Sequence, residues 1–205
     1  MKIKNVIFDV GNVIVKWSPV QIIKNTFPEY EEVQQQDLIE KVFKSTTWTQ
    51  LNLGALSENE AKEHFISNIA NLDVQRANSL FYNIKASQHL IPGTTDLIKK
   101  LHENGYKLFA LTDNIKEIIQ FLQNKYDFWN YFIHTTVSAE IGLMKPGKEI
   151  FEYALKKNNL LAHETLFIDD HLPNTQTASL LGLHTILFSD ALACLQELNH
   201  LGVAL

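Results

Sequence analysis

The sequence predicts an α/β fold: a parallel sheet with helices on both faces, interrupted after its first strand by an all-helical block. Three observations predict it. The short apolar run Val6-Ile7-Phe8 ends abruptly on Asp9. From Ile91 onward, strand-like runs and amphipathic stretches alternate in strict order, whereas between Trp17 and about Leu90 there is no convincing strand. Unbroken apolar runs suit strands buried on both faces of a parallel sheet, and alternation with helices supplies the crossovers such a sheet requires.

Taken in order, the first strand covers Val6 to Phe8. A turn carrying Gly11-Asn12 follows, and apolar character resumes at Val13-Ile14-Val15. In the helical block, Glu31 to Phe43 forms a helix with Val33, Ile39, Val42 and Phe43 as a loose apolar face. Ser57-Glu58-Asn59-Glu60 is a capping box, in which the serine accepts from the first turn and Glu60 reaches back. Ala61, Phe65 and Ile69 continue that helix, and Val74, Ala77, Phe81 and Ile84 mark the next at helical spacing. Beyond the block, Pro92-Gly93 opens a helix with Leu97, Ile98 and Leu101 inward, and Gly105 fits the left-handed stop after it. Tyr106 to Leu111 is a strand ending at Thr112, followed by a helix on Ile115, Ile118, Ile119 and Leu122. A weaker strand lies near Phe132 to Thr135, and Glu149 to Lys157 is helical. Thr165 to Ile168 is a strand ending on Asp169-Asp170. Its helix stops at Gly182, and His184 to Phe188 makes the last strand before a closing helix.

Composition narrows the function. With 205 residues, 45% hydrophobic and 20% charged, the chain can bury a real core as one domain carrying an insertion. A net charge of −5 provides no basic footprint, against a nucleic-acid partner. No apolar run approaches the roughly 20 residues of a membrane helix, and the first residues lack a signal-peptide layout. A cytoplasmic location is therefore expected, with no membrane partner. The single cysteine, Cys194, allows no intrachain disulfide and no cysteine-based zinc site. Nothing distinguishes a monomer from a weak dimer.

In open parallel sheets ligands bind beyond the carboxyl ends of the strands. Here those ends carry Asp9, Thr112 and Asp169-Asp170, with Lys145 in a loop after Ile141-Gly142-Leu143. Singly, each has a bland reading: a loop cap, a helix N-cap, a solvated lysine. Together their chemistry is coherent. A carboxylate can attack phosphorus and form an acyl phosphate, which divides one hard hydrolysis into two easier steps. A divalent cation held by carboxylates, Mg²⁺ by its preference for oxygen, can bring the two anions together. A lysine and a hydroxyl then neutralise the remaining phosphoryl oxygens.

Asp9-Val10-Gly11-Asn12-Val13, Thr112, Lys145-Pro146 and Asp169-Asp170-His171-Leu172-Pro173-Asn174 resemble the four ordered motifs of the haloacid dehalogenase-like hydrolases. The likeness covers the whole chain, because the helical block lies where that superfamily inserts a helical cap. Phe-Asp-Val-Gly-Asn-Val and the final Asp-Asp-x-x-x-Asn look most like the branch of glucose-1-phosphate phosphatases and the N-terminal phosphatase domain of soluble epoxide hydrolases. The resemblance implies a Rossmann-like core over 1–16 and 90–205 with a cap over 17–89. It implies an Mg²⁺-dependent phosphatase of a small phosphorylated metabolite, sugar phosphates included, working through an aspartyl-phosphate. Asp9 would be the nucleophile. Mg²⁺ would bind Asp9, the backbone carbonyl of Gly11, and Asp170. Thr112 and Lys145 would hold the phosphoryl group, with Asp113 and Asn114 beside it. Asp169 and Asn174 would support the metal's waters and the lysine.

Three positions depart from the family's pattern. Most of its phosphatases carry a second Asp two residues after the nucleophile, as general acid and base, where this chain has Gly11. Proton transfer cannot come from glycine, so slow turnover is expected for phosphates with poor leaving groups. The position after Thr112 is commonly Asn and here is Asp113, a carboxylate that would repel phosphate unless turned away or protonated. Asn114 can supply the amide instead, and Asp113 is a candidate substitute acid. Relatives often have Gly-Glu in the cap loop where this chain has Gly54-Ala55.

Several features are decoys. Gly142 to Glu149 imitates a phosphate-binding Gly-x₄-Gly-Lys loop, but Pro146 and Glu149 spoil it. His171 lies at the expected site mouth and reads as peripheral. Trp17, Phe43 and Trp48 read as core aromatics or as a lining over the site, and Cys194 as buried and inert. Two alternatives remain in view: a metal-independent haloacid dehalogenase, which the Asp169-Asp170 pair disfavours, and a non-catalytic binding protein on a degraded scaffold, which Gly11 and Asp113 favour.

Overall fold

A computed structural model describes residues 2–205. Five parallel strands form one sheet in the order β3-β2-β1-β4-β5: β1 (Asn5–Phe8), β2 (Lys107–Thr112), β3 (Phe132–Val137), β4 (Thr165–Asp169) and β5 (His184–Leu187). Alternate side chains on each strand point to opposite faces, and both faces are covered. Val6, Phe8, Leu108, Ala110, Leu166 and Ile168 join one core with α6 (Thr94–Glu103), α7 (Lys116–Lys125) and α11 (Ala191–His200). Ile7, Phe109, Leu111 and Phe167 point the other way, into a second core under α9 (Lys148–Lys157) and α10 (Leu172–Leu180). Burial on both sides explains why the central strands β1, β2 and β4 read as apolar runs.

The stretch between β1 and α6 holds five helices and no named strand: α1 (Pro19–Thr26), α2 (Glu32–Phe43), α3 (Thr46–Asn52), α4 (Glu58–Asn68) and α5 (Val74–Ala86). Its entry and exit lie side by side, with an antiparallel bridge from Val15 to Leu90 and the Lys16 N–H donating to the His89 carbonyl at 2.8 Å. The Ser57–Glu60 capping box forms as expected. Glu58, beside it, binds Lys62 and Lys85 at 2.8 and 2.7 Å and so ties α4 to α5. The short helix α8 (Ser138–Ile141) follows β3, and the loop after α3 packs on it at Gly54.

Some details differ from the periodicity reading. Val33 and Val74 are 81% and 65% exposed, because each lies in the first turn of its helix, ahead of the stripe that meets the core. The helices α1 and α3 were not placed by apolar spacing, but Ser18-Pro19 and Ser45 cap them. Gly142 and Gly147 cap α8 and α9 on either side of the Lys145 loop, and Lys148 extends toward Glu152 at 3.9 Å on the surface, so no phosphate cradle forms there. Among the described residues no helix is long and apolar enough to cross a membrane.

Candidate active site

The carboxyl ends of β1, β2 and β4 open into a cavity of about 320 Å³. Asp9, Gly11, Thr112, Asp113, Asn114, Lys145, Asp170 and Asn174 all line it, so residues up to 165 positions apart in the chain meet there. Asp169 lies just beneath, fully buried.

Each position follows from local structure. The Asp9 N–H continues the sheet by donating to the Ile168 carbonyl at 2.9 Å. The turn behind it is closed by Asn12, in the left-handed region at φ 52°, whose Oδ1 accepts from the Trp17 N–H at 2.9 Å. Thr112 ends β2 in register with Val137 of β3. Lys145 is fixed at both ends. Its backbone N–H donates to Asp113 Oδ1 at 3.0 Å, and its Nζ donates to Asp9 Oδ1 and Asp169 Oδ2, each at 2.8 Å, and to the Leu111 carbonyl at 3.3 Å. All three ammonium protons thus have acceptors, as a buried charge requires.

The two acidic residues after β4 differ in what they leave open. Both oxygens of Asp169 are occupied: Oδ1 accepts from the His171 N–H at 2.8 Å and Asn174 Nδ2 at 3.0 Å, and Oδ2 accepts from Lys145 and Asn174. Asp9 uses only Oδ1, for Lys145 and for the Val10 N–H at 2.7 Å. Its Oδ2 has no partner among the described residues. Asp170 is exposed to the cavity.

Four carboxylates surround one lysine, and the electrostatics follow from that imbalance. Burial pushes the Asp9 carboxyl up to about 7, with Lys145 opposing and Asp169 reinforcing. Burial likewise raises Asp113 and Asp170, the latter with help from Asp169. For Lys145 burial acts against the charge, but Asp9, Asp169 and Asp113 outweigh it and hold the ammonium protonated well above the ordinary lysine value. Carboxylate oxygens of Asp9, Asp169 and Asp170 lie within 4.8 Å of one another. This all-oxygen set with surplus negative charge fits a hard divalent cation.

Asp113 turns one oxygen to the Lys145 backbone, which fixes its carboxylate at the cavity wall. Asn114 spends its side-chain oxygen on the Ile115 N–H at 3.0 Å, and its backbone N–H donates to Ser138 Oγ at 2.9 Å. His171 lines the cavity and places Nδ1 3.4 Å from Asn174 Oδ1. Cys194 is buried, its thiol pushed up to about 12 by burial.

The far wall comes from the helical block. Trp17 and Trp48 line the cavity as a stacked pair, centroids 5.8 Å apart at 19°, with Phe43 edge-on to both. The two tryptophans are therefore lining and core at once. Asn52 and Gln88 complete this wall and were not singled out from the sequence. For Asn52 a signal existed: Trp48, Leu51 and Asn52 share one face of the Ser45-capped α3. Gln88 carries no readable signal.

The family model of the haloacid dehalogenase-like hydrolases matches residues 6–188. The sesquiterpene phosphatase astK of Aspergillus oryzae is 28% identical over 198 residues, spanning 97% of this chain and 96% of that protein. A HAD family enzyme of Bacteroides thetaiotaomicron, crystallised with magnesium and inorganic phosphate, superposes with a TM-score of 0.78 at 22% identity, over 92% of this chain and 95% of that one. A HAD-like family hydrolase of Porphyromonas gingivalis superposes with a TM-score of 0.78 at 22% identity over all of both chains. With a match extending from the first strand past the last, the chain belongs to the haloacid dehalogenase-like hydrolase family.

Proposed function

We propose that this chain is an Mg²⁺-dependent phosphatase that hydrolyses a small phosphorylated metabolite, sugar phosphates among the candidates, through an aspartyl-phosphate on Asp9. As a haloacid dehalogenase-like hydrolase with phosphatase relatives, the chain is an enzyme that hydrolyses phosphate esters. The observation that carries the finer reading is the Lys145 ammonium held at 2.8 Å from both Asp9 and Asp169, beside an open Asp170. That arrangement orients Asp9 and leaves a surplus of carboxylates where a phosphate must bind.

Asp9, the Gly11 carbonyl and Asp170 would hold Mg²⁺, since both oxygens of Asp169 are already hydrogen-bonded. The ion, when bound, supplies the positive charge that lets a carboxylate approach a phosphate dianion. Asp9 Oδ2 attacks phosphorus as the bond to the alcohol oxygen breaks. Thr112, Lys145 and Asn114 stabilise the phosphoryl oxygens. Because residue 11 is glycine, the leaving alcohol takes its proton from water, and the water that later cleaves the acyl phosphate is not activated by a carboxylate there. A metal-independent dehalogenase would leave the carboxylate surplus uncompensated, and a non-catalytic scaffold gives no role to the buried Asp9–Lys145–Asp169 array.

The test is phosphate release from a panel of phosphomonoesters, with Mg²⁺ and with EDTA, by wild type and Asp9→Asn. Release that requires Mg²⁺ and is lost in the variant supports the proposal. Equal release in EDTA, or release that survives Asp9→Asn, refutes it.

A further inference from the structure

Resting on the phosphatase reading, we infer that the cavity selects the monophosphate of an uncharged, hydroxyl-bearing alcohol and rejects phosphates carrying a second anion. Asn52 and Gln88, beside the Trp17–Trp48 platform, set that choice.

Beyond the phosphoryl end, the wall contributed by the helical block is Trp17, Trp48, Asn52 and Gln88, with no charged side chain. Lys145 is the one lysine or arginine in the lining, and Asp9, Asp169 and the Leu111 carbonyl hold its ammonium at the phosphoryl end. A carboxylate on the substrate would therefore meet no free lysine or arginine, and His171, the one histidine in the lining, stays with Asn174 at the phosphoryl end. It would also face Asp113 and Asp170, which line the same cavity. Burying an unpaired charge is strongly unfavourable, and like charges nearby add to it.

The same wall is not simply greasy. Asn52 is 7% exposed and lines the cavity. Gln88 is 1% exposed, and its Nε2 donates to the Ile84 carbonyl at 3.3 Å, which leaves its side-chain oxygen as an acceptor. Tyr126 anchors Gln88 from behind by donating to its backbone carbonyl at 2.9 Å. Amides in a cavity wall can donate to and accept from a ligand's hydroxyl groups. The tryptophan pair offers a flat apolar surface, held rigid by Phe43. A ligand with one apolar face and hydroxyl groups along its edge satisfies both elements. A hydrocarbon chain leaves the amides unpaired. The cavity, about 320 Å³, sits at the small end of ligand pockets.

The experiment compares kcat/KM for three probes with Mg²⁺: D-glucose 6-phosphate, farnesyl monophosphate and phosphoglycolate. Wild type is expected to prefer the hydroxylated neutral probe, with phosphoglycolate at least about a hundredfold poorer. Asn52→Leu is expected to lower the ratio of glucose 6-phosphate to farnesyl monophosphate by at least about tenfold. Asn52→Asp keeps the shape and a hydroxyl acceptor, should the leucine variant fail to fold. It is expected to preserve that ratio and to widen the discrimination against phosphoglycolate. Equal kcat/KM for phosphoglycolate and glucose 6-phosphate overturns the inference, as does a ratio unmoved by Asn52→Leu. Release from none of the three probes, or release that survives Asp9→Asn, overturns the phosphatase reading beneath it.

Discussion

Replacing Gly11 with aspartate should add a function rather than remove one. A Cβ built at Gly11 has the Trp17 Cβ at 3.8 Å as its nearest neighbour, an ordinary van der Waals contact, and Gly11 does not occupy the left-handed region. The backbone and the space therefore accept a side chain, and the added charge beside Asp9 and Asp170 should cost about 1–3 kcal/mol in the absence of Mg²⁺. Residue 11 already lines the cavity two positions beyond Asp9, so a carboxylate there can reach the leaving oxygen. General acid–base assistance is worth about 10²–10⁴-fold, and most to the poorest leaving groups. The ratio kcat/KM senses only the steps up to phosphoryl transfer. Gly11→Asp should thus raise kcat/KM on an alkyl phosphate by at least about a hundredfold and leave an aryl phosphate nearly unchanged. Parallel steady-state assays with glycerol 3-phosphate and 4-nitrophenyl phosphate measure both. An equal gain on the two substrates, or none on either in a folded variant, would refute the idea that glycine withholds the proton donor.

Three further outcomes follow from the site and its support. Lys145→Met removes the ammonium shared by Asp9 and Asp169; urea unfolding should show a loss of about 3–5 kcal/mol, with kcat down at least about a hundredfold. In EDTA, Asp9 titrates at about 7 in the folded chain and near the ordinary 3.8 when unfolded, so between those values the folded state binds more protons from this group. That contribution destabilises wild type as pH rises through the window, so Asp9→Asn should gain in Tm relative to wild type from pH 4 to pH 7; a constant difference would contradict it. Gly54, at φ 70°, packs on the Ala139 backbone so closely that a Cβ would overlap its carbonyl. Gly54→Ala should cost about 1–3 kcal/mol and raise KM by displacing Trp48 and Asn52, read by thermal melts and Michaelis curves.

Much of the fold was legible because the three central strands are buried on both faces, which writes β1, β2 and β4 as apolar runs leading to a polar residue, whereas the edge strands β3 and β5 carry polar residues within them. The strand-end signals could be read for the same reason: Asp9, Thr112 and Asp169-Asp170 stand out against the runs they follow, while Lys145 lies in the loop between α8 and α9. Local spacing handled the helical block less well. Val33 and Val74 fit a helical stripe yet face solvent, because periodicity cannot tell which turn meets the core. The helices α1 and α3 were signalled by capping serines rather than apolar rhythm. Asn52 is signalled only by sharing a helix face with Trp48 and Leu51, and Gln88 by no local pattern, because the other walls of their cavity lie far away in the chain.

Hydrolysis through Asp9 requires a covalent phosphoryl group on its carboxylate, and Gly11 makes that group accessible to measurement. Without a base at residue 11 the acyl phosphate should hydrolyse slowly, so it accumulates when the leaving group is good. Wild type turning over 4-nitrophenyl phosphate with Mg²⁺ should be quenched in acid, digested, and its peptides weighed. The peptide carrying Asp9 should bear a phosphoryl group, labile to hydroxylamine and depleted in Gly11→Asp. A phosphoryl group on a different residue, or an unmodified Asp9 peptide while a burst of 4-nitrophenol is observed, would contradict it.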